Sequence, residues 1–210
     1  NHIHSVWRNM RGDFGVPALQ SAKQGLLELE ARWPNDPATL YALVYTDYML
    51  FASAARAERQ ALSTAALGEA RRRLARLLEL EDADNALKTL DVNLENAWAQ
   101  DLSNRGRHAE AIAAQRGALA KVSAKLTPER RLNAVADLGW GEMMLGLIAR
   151  KAGDRALTCS SWTRARGHFE EIERRGELTG FHAGFQPGLK ANLALCAGGA
   201  PLSAFKPLKD

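Results

Sequence analysis

Arg105-Gly106-Arg107-His108-Ala109-Glu110-Ala111-Ile112, running on through Ala118-Leu119, sets a glycine between two stretches of helical pattern. Residues 86–104 before it and 108–126 after it are predicted helices, and Ala111 and Ala118 recur seven residues apart on the second. A short Gly-containing turn between two helical patterns reads as one helix–turn–helix hairpin.

The same register returns elsewhere. Gly106 has the small residue Ala99 seven positions before it and Ala118 twelve after it; Gly153 has Gly146 and Ala165 at the same offsets. Gly12 has Ser5 seven before it and Gly25 one position out of step after it. Small residues at such sites let antiparallel helices approach closely.

The remaining helices follow from apolar periodicity and punctuation. Residues 2–11 read as a truncated helix, broken by Gly12-Asp13-Phe14-Gly15, and Pro17 opens a helix over 17–32. Trp33-Pro34-Asn35-Asp36-Pro37 ends it, and 38–58 forms a broadly apolar helix. Ser63 or Thr64 is placed to cap a helix to Leu80. Thr127-Pro128 starts a helix running to Lys151, and another covers 155–175. Gly176, Gly180, Gly184 and Gly188 read as a loop before a short last helix at 189–196, and residues 198–210 as an irregular, loosely attached tail. The expected organisation is one all-α repeat domain over 1–197 plus that tail.

Composition agrees with a packed helical protein. Apolar residues make up 46% and charged residues 25% of 210, while the net charge is only +4. Arg71-Arg72-Arg73 with Arg76 lies among Glu69, Glu79, Glu81 and Asp82 without interleaved aromatics, so it reads as a solvated face and no nucleic-acid partner is expected. No apolar run approaches the roughly 18–20 residues that span a bilayer. The first residue is Asn1, in what reads as a helix, and the expectation is a piece of a longer polypeptide.

No Gly-rich phosphate loop, Gly-x-Ser-x-Gly elbow, His-Glu-x-x-His or kinase catalytic loop occurs in the sequence. His2 and His4, two residues apart, point away from each other on a helix, and His168 and His182 have no evident metal partners. The expectation is a non-enzyme without metal or cofactor.

The spacings resemble the tetratricopeptide repeat: Leu145-Gly146 looks like its Leu-Gly pair, Gly153-Asp154 like its turn, and Ala111 and Ala118 like its second-helix alanines. Thr158 and Trp162 depart from the pattern, and the 47-residue interval between Ala99 and Gly146 exceeds the usual ~34. Repeats of another α-solenoid type stay open. The style is also similar to repeat regions of bacterial signalling proteins that carry a kinase or winged-helix domain. The resemblance implies a right-handed superhelix of antiparallel helix pairs with a C-terminal capping helix, and first-helix residues lining a concave groove. Carried over by register, the groove would hold Asn93, Asn96, Gln100, Ser103 and Asn104, then Trp140, Met143, Leu147, Arg150 and Lys151, with Tyr48, Phe51 and Arg59 from an earlier helix. Amides and cations there suit a peptide or protein partner. A small ligand, or a second copy of the chain, is the alternative occupant.

Cys159 and Cys196 fall at opposite ends of presumed antiparallel neighbours, as two buried thiols or one disulfide. A bridge would imply an oxidising, periplasmic or extracellular setting, and free thiols a cytoplasmic one.

Overall fold

The computed structural model describes residues 15–80, 85–124, 131–177 and 180–208. Among these residues the chain is all-α: α1 (Gly15–Arg32), α2 (Pro37–Arg56), α3 (Gln60–Leu80), α4 (Asn85–Asn104), α5 (His108–Ser123), α6 (Arg131–Lys151), α7 (Arg155–Glu173) and α8 (Gly180–Ala197), then a 3-10 turn at Leu202–Ala204. The chain divides into two compact units, residues 1–94 and 95–210. The sequence-predicted helix at 2–11, the Gly12 turn and the Thr127-Pro128 start lie outside the described residues.

In the first unit α2 packs on both α1 and α3. Asp36 caps α2 by accepting from the Thr39 backbone N–H at 2.8 Å, and Pro37 follows at the first helical position, where it has no hydrogen bond to lose. Val16, Leu19, Leu50, Ala54 and Ala66 form a core shared by the three helices. Beside it Asp47, 0% exposed, meets Lys23 Nζ at 2.7 Å and Arg73 Nη1 at 2.6 Å. Burial raises the Asp47 carboxyl above the ordinary range against the pull of both cations. Removing one member of such a buried group costs about 3–5 kcal/mol, because the remaining charge is stranded.

α2 and α3 meet at Ala57-Glu58-Arg59, and this turn has the form of those at Gly106 and Gly153. Glu58 takes φ 57°, where Gly106 has 75° and Gly153 has 80°. Each donates its N–H three residues back, to Ala55, Ser103 or Arg150, and the next residue donates five back, to Ala54, Leu102 or Ala149. That pair of bonds satisfies the last carbonyls of a helix and reverses the chain. These three turns stand 48 and 47 residues apart, and the same pair of bonds recurs at Gly176 and Gly199.

Counted from each turn residue, positions +5, +9, +12 and +16 are buried in all three hairpins: Ser63, Leu67, Ala70 and Leu74; Ala111, Gln115, Ala118 and Val122; Thr158, Trp162, Ala165 and Phe169. Eleven positions before each turn stands an acid (Asp47, Glu95, Glu142), and fifteen after it a base (Arg73, Lys121, His168). Asp47 pairs with Arg73, Glu95 meets Lys121 at 3.5 Å, and Glu142 bonds Arg164 while acting electrostatically on His168. Ser63 is therefore not a cap. It sits inside α3 and donates to the Phe51 carbonyl at 3.1 Å, which ties the two helices together.

In the second unit α6 packs between α5 and α7, and α7 packs on α8. Three glycines make α6 thin where its neighbours are large. A Cβ on Gly139 would lie 2.6 Å from Phe169, one on Gly141 2.7 Å from Leu119, and one on Gly146 inside the Trp162 indole. The presumed loop at 176–188 is corrected: its residues from Gly180 onward are the first turns of α8, with Pro187 inside the helix. Phe185 and Leu189 are buried in the α6–α7 core, and that burial outweighs the weak helix propensity of the glycines. The loosely attached tail is corrected too, since Phe205 is 3% exposed and belongs to the same core.

Candidate functional site

The C-terminal ends of α4 and α6 enclose a cleft of about 480 Å³. Both helices end in the glycine turns just described, so their last side chains are brought to one side by the same device. Gln100, Ser103 and Asn104 come from α4; Met144, Leu147, Ile148, Arg150 and Lys151 come from α6. Met144, Leu147 and Ile148 supply apolar surface, and the amides, hydroxyl and two cations supply polar contact. Arg150 and Lys151 occupy the last turn of α6, where cations complement the carbonyl end of the helix.

The polar groups differ in how they are held. Lys151 Nζ donates to Asn104 Oδ1 at 2.8 Å across the mouth of the cleft. Gln100 Nε2 lies 3.7 Å from the Met144 sulfur, a weak acceptor that leaves the amide available for a stronger one. Ser103 is 4% exposed, and among the described residues its Oγ has no hydrogen-bond partner. An unpaired buried hydroxyl costs about 1–3 kcal/mol, which a ligand atom reaching it would recover. Arg150 is engaged with the tail, donating to the carbonyls of Phe205 and Lys206.

Of the residues that sequence register assigned to a groove, Gln100, Ser103, Asn104, Leu147, Arg150 and Lys151 share this cleft. Asn96 is half-buried and accepts from Gln115 Nε2 at 2.8 Å, so its side chain joins α4 to α5. Gln115 also donates to the Gly141 carbonyl at 3.1 Å, which extends that link to α6. Asn93 is exposed on the part of α4 that belongs to the first unit. Met143 is corrected: at 1% exposure it is core, beneath Trp162, whose Nε1 donates to the Met143 carbonyl at 3.2 Å. Trp140 is half-buried edge-on against Phe185, with ring centroids 5.6 Å apart. Tyr48, Phe51 and Arg59 lie in the first unit; Tyr48 stacks on Phe51 at 6.3 Å, and burial pushes its hydroxyl pKa up.

Cys159 and Cys196 are joined as a disulfide with Cα atoms 5.8 Å apart, linking the start of α7 to the end of α8. Arg155 reinforces that corner by donating to the Cys196 carbonyl at 2.7 Å and the Ala200 carbonyl at 3.0 Å. Sequence reasoning missed Asn192, whose buried side chain holds the Lys206 main chain at both its N–H and its carbonyl. A polar residue on the apolar side of the last helix was the available signal.

Among the described residues no cluster of three or more His, Cys, Asp or Glu could hold a metal ion, and no helix is long and apolar enough to cross a membrane. Compared with known proteins, the chain matches no family model, no curated protein and no solved structure.

Proposed function

We propose that the chain is a binding module built on tetratricopeptide-like helix pairs, winding as a right-handed superhelix, which holds a peptide or protein partner and carries out no reaction of its own. The observation that carries the reading is the α4–α6 cleft. It gathers Gln100, Ser103, Asn104, Arg150 and Lys151 over Met144, Leu147 and Ile148, a mixture suited to main-chain amides and an acidic or apolar side chain. The Cys159–Cys196 bridge supports an oxidising compartment as the place of action.

The test compares the native chain with a Gln100→Ala, Lys151→Ala variant of unchanged circular dichroism. A partner recovered by the native chain is purified and titrated directly against both proteins. Binding weakened at least about tenfold, or about 1.4 kcal/mol, supports the cleft as the contact surface. Equal affinity overturns it. A cleft of about 480 Å³ also fits a small ligand, and a thermal shift with a metabolite collection, abolished by the same variant, would favour that reading.

A further inference from the structure

We propose that the surface formed by α6, α7 and α8 is a recognition slot for an extended peptide of the pattern aromatic–Xaa–Xaa–aliphatic, occupied in this structure by the chain's own Phe205-Lys206-Pro207-Leu208 as a tethered ligand. This goes beyond the cleft reading and does not depend on it.

The tail is held as a bound peptide is held. Phe205 takes φ −72° and ψ 133°, close to the polyproline II conformation, in which a chain makes no hydrogen bonds with itself. Its N–H closes the 3-10 turn on the Leu202 carbonyl at 3.2 Å, and from the Phe205 carbonyl onward the main chain is held by side chains of the helices. The Lys206 N–H donates to Asn192 Oδ1 at 2.9 Å, and Asn192 Nδ2 donates back to the Lys206 carbonyl at 3.0 Å. Arg150 adds a bond of 3.1 Å to that carbonyl and a second bond to the Phe205 carbonyl. These contacts read a backbone and would accept any residue at the Lys206 position.

Side-chain preference comes from the two ends. Phe205 is buried against Trp162 at a centroid distance of 5.6 Å. Three residues on, Leu208 packs where α8 has Gly188; a Cβ there would stand 3.3 Å from the Leu208 side chain. Lys206 and Pro207 between them face solvent. A main-chain clamp flanked by two apolar seats is a recurring way of recognising extended peptides.

Asn192 supplies the argument that the slot is built for a ligand. It is fully buried, and both sides of its amide bond the Lys206 main chain. With the segment gone both amide groups would be stranded, so the site demands an occupant. The segment can leave without dismantling its anchor. Cys196 and Arg155 fix the chain as far as Ala200, so the tether to Phe205 is residues 201–204. Such a short tether gives the tail a roughly millimolar effective concentration, which a partner segment of the same pattern must exceed.

The test titrates a fluorescent peptide of residues 201–208 into the disulfide-intact full chain. The native protein is expected to bind it weakly, because the slot is filled. Phe205→Ala or Leu208→Asp, which loosen the tethered copy, should each tighten peptide binding at least tenfold, and adding Asn192→Ala should remove the gain. A scrambled peptide should not bind. Variants that keep native circular dichroism yet bind no better than the native chain overturn the proposal. Should Phe205→Ala fail to fold, Leu208→Asp decides, together with hydrogen exchange on the unaltered chain. The Lys206 amide is expected to exchange well ahead of the α7 amides; exchange only with global unfolding makes the tail plain core and overturns the slot.

Discussion

Gly146 and Trp162 are complementary across the α6–α7 interface, the indole filling the space that a β-carbon on Gly146 would need. Gly146→Ala gains about 1 kcal/mol of helix propensity and loses about 1–3 kcal/mol to overpacking. Since the collision is with a ring that is itself fully buried, loss wins. Trp162→Ala leaves a cavity worth about 3–5 kcal/mol. The double variant should be more stable than the sum of the two, by about 1 kcal/mol or more, in urea unfolding. Strict additivity would mean that the two residues do not constrain each other.

Glu58 occupies a left-handed position that its two counterparts give to glycine. A non-glycine residue is disfavoured there by about 1–2 kcal/mol, part of which is returned by the lower entropy of its unfolded chain. Glu58→Gly is expected to raise stability by about 0.5–1 kcal/mol, and Gly106→Ala or Gly153→Ala to lower it by about 1 kcal/mol. Denaturant midpoints of the three variants check the signs.

His168 and His182 are half-buried, and burial pulls both below their ordinary value of 6.5. Glu142 and Glu171 pull His168 the other way, as Asp137 does His182, while Arg164 reinforces the burial effect on His168. With folded-state values depressed, the unfolded chain takes up protons first. Stability is therefore intact above about pH 6.5 and lost as the pH falls through the lower folded-state values. The melting temperature should be flat from about pH 8 to 7 and fall below that, and His182→Gln should flatten the slope. An unchanged slope in that variant would assign the loss to other groups.

The disulfide closes a 37-residue separation, for which chain entropy accounts for about 4 kcal/mol. Cys159→Ser with Cys196→Ser should lower the urea midpoint accordingly, and the native chain under reductant should match it. A midpoint that ignores both treatments would show that the α7–α8 corner is held by Arg155 and the core alone.

Legibility in the sequence followed how directly each feature depends on residue type. The turns at Gly106 and Gly153 were readable because only glycine adopts φ near 75–80° freely. The equivalent turn at Glu58 was hidden, since nothing in a glutamate announces a left-handed backbone. Without it, the 47-residue interval between Ala99 and Gly146 had no counterpart earlier in the chain. Ser63 was read as a cap because serine favours helix ends, yet its hydroxyl serves the Phe51 carbonyl across the hairpin. The glycines of α8 and the tail were misread for a common reason: their structure comes from burial of Phe185, Leu189 and Phe205 against distant residues. The cleft was partly legible. Register located Gln100, Asn104, Arg150 and Lys151, but could not separate them from Met143, which faces the core one helical turn from Leu147.

The three glycines of α6 have a consequence for how the protein is made. Each costs about 1 kcal/mol of helicity against alanine, so residues 131–151 have little tendency to coil up alone. What holds them is Leu119 on one flank and Phe169 and Trp162 on the other, and those last two are translated afterwards. During synthesis this segment must wait for the one that follows it. A gene truncated between residues 151 and 162 would therefore yield a chain whose α6 has Leu119 on one flank and nothing on the other.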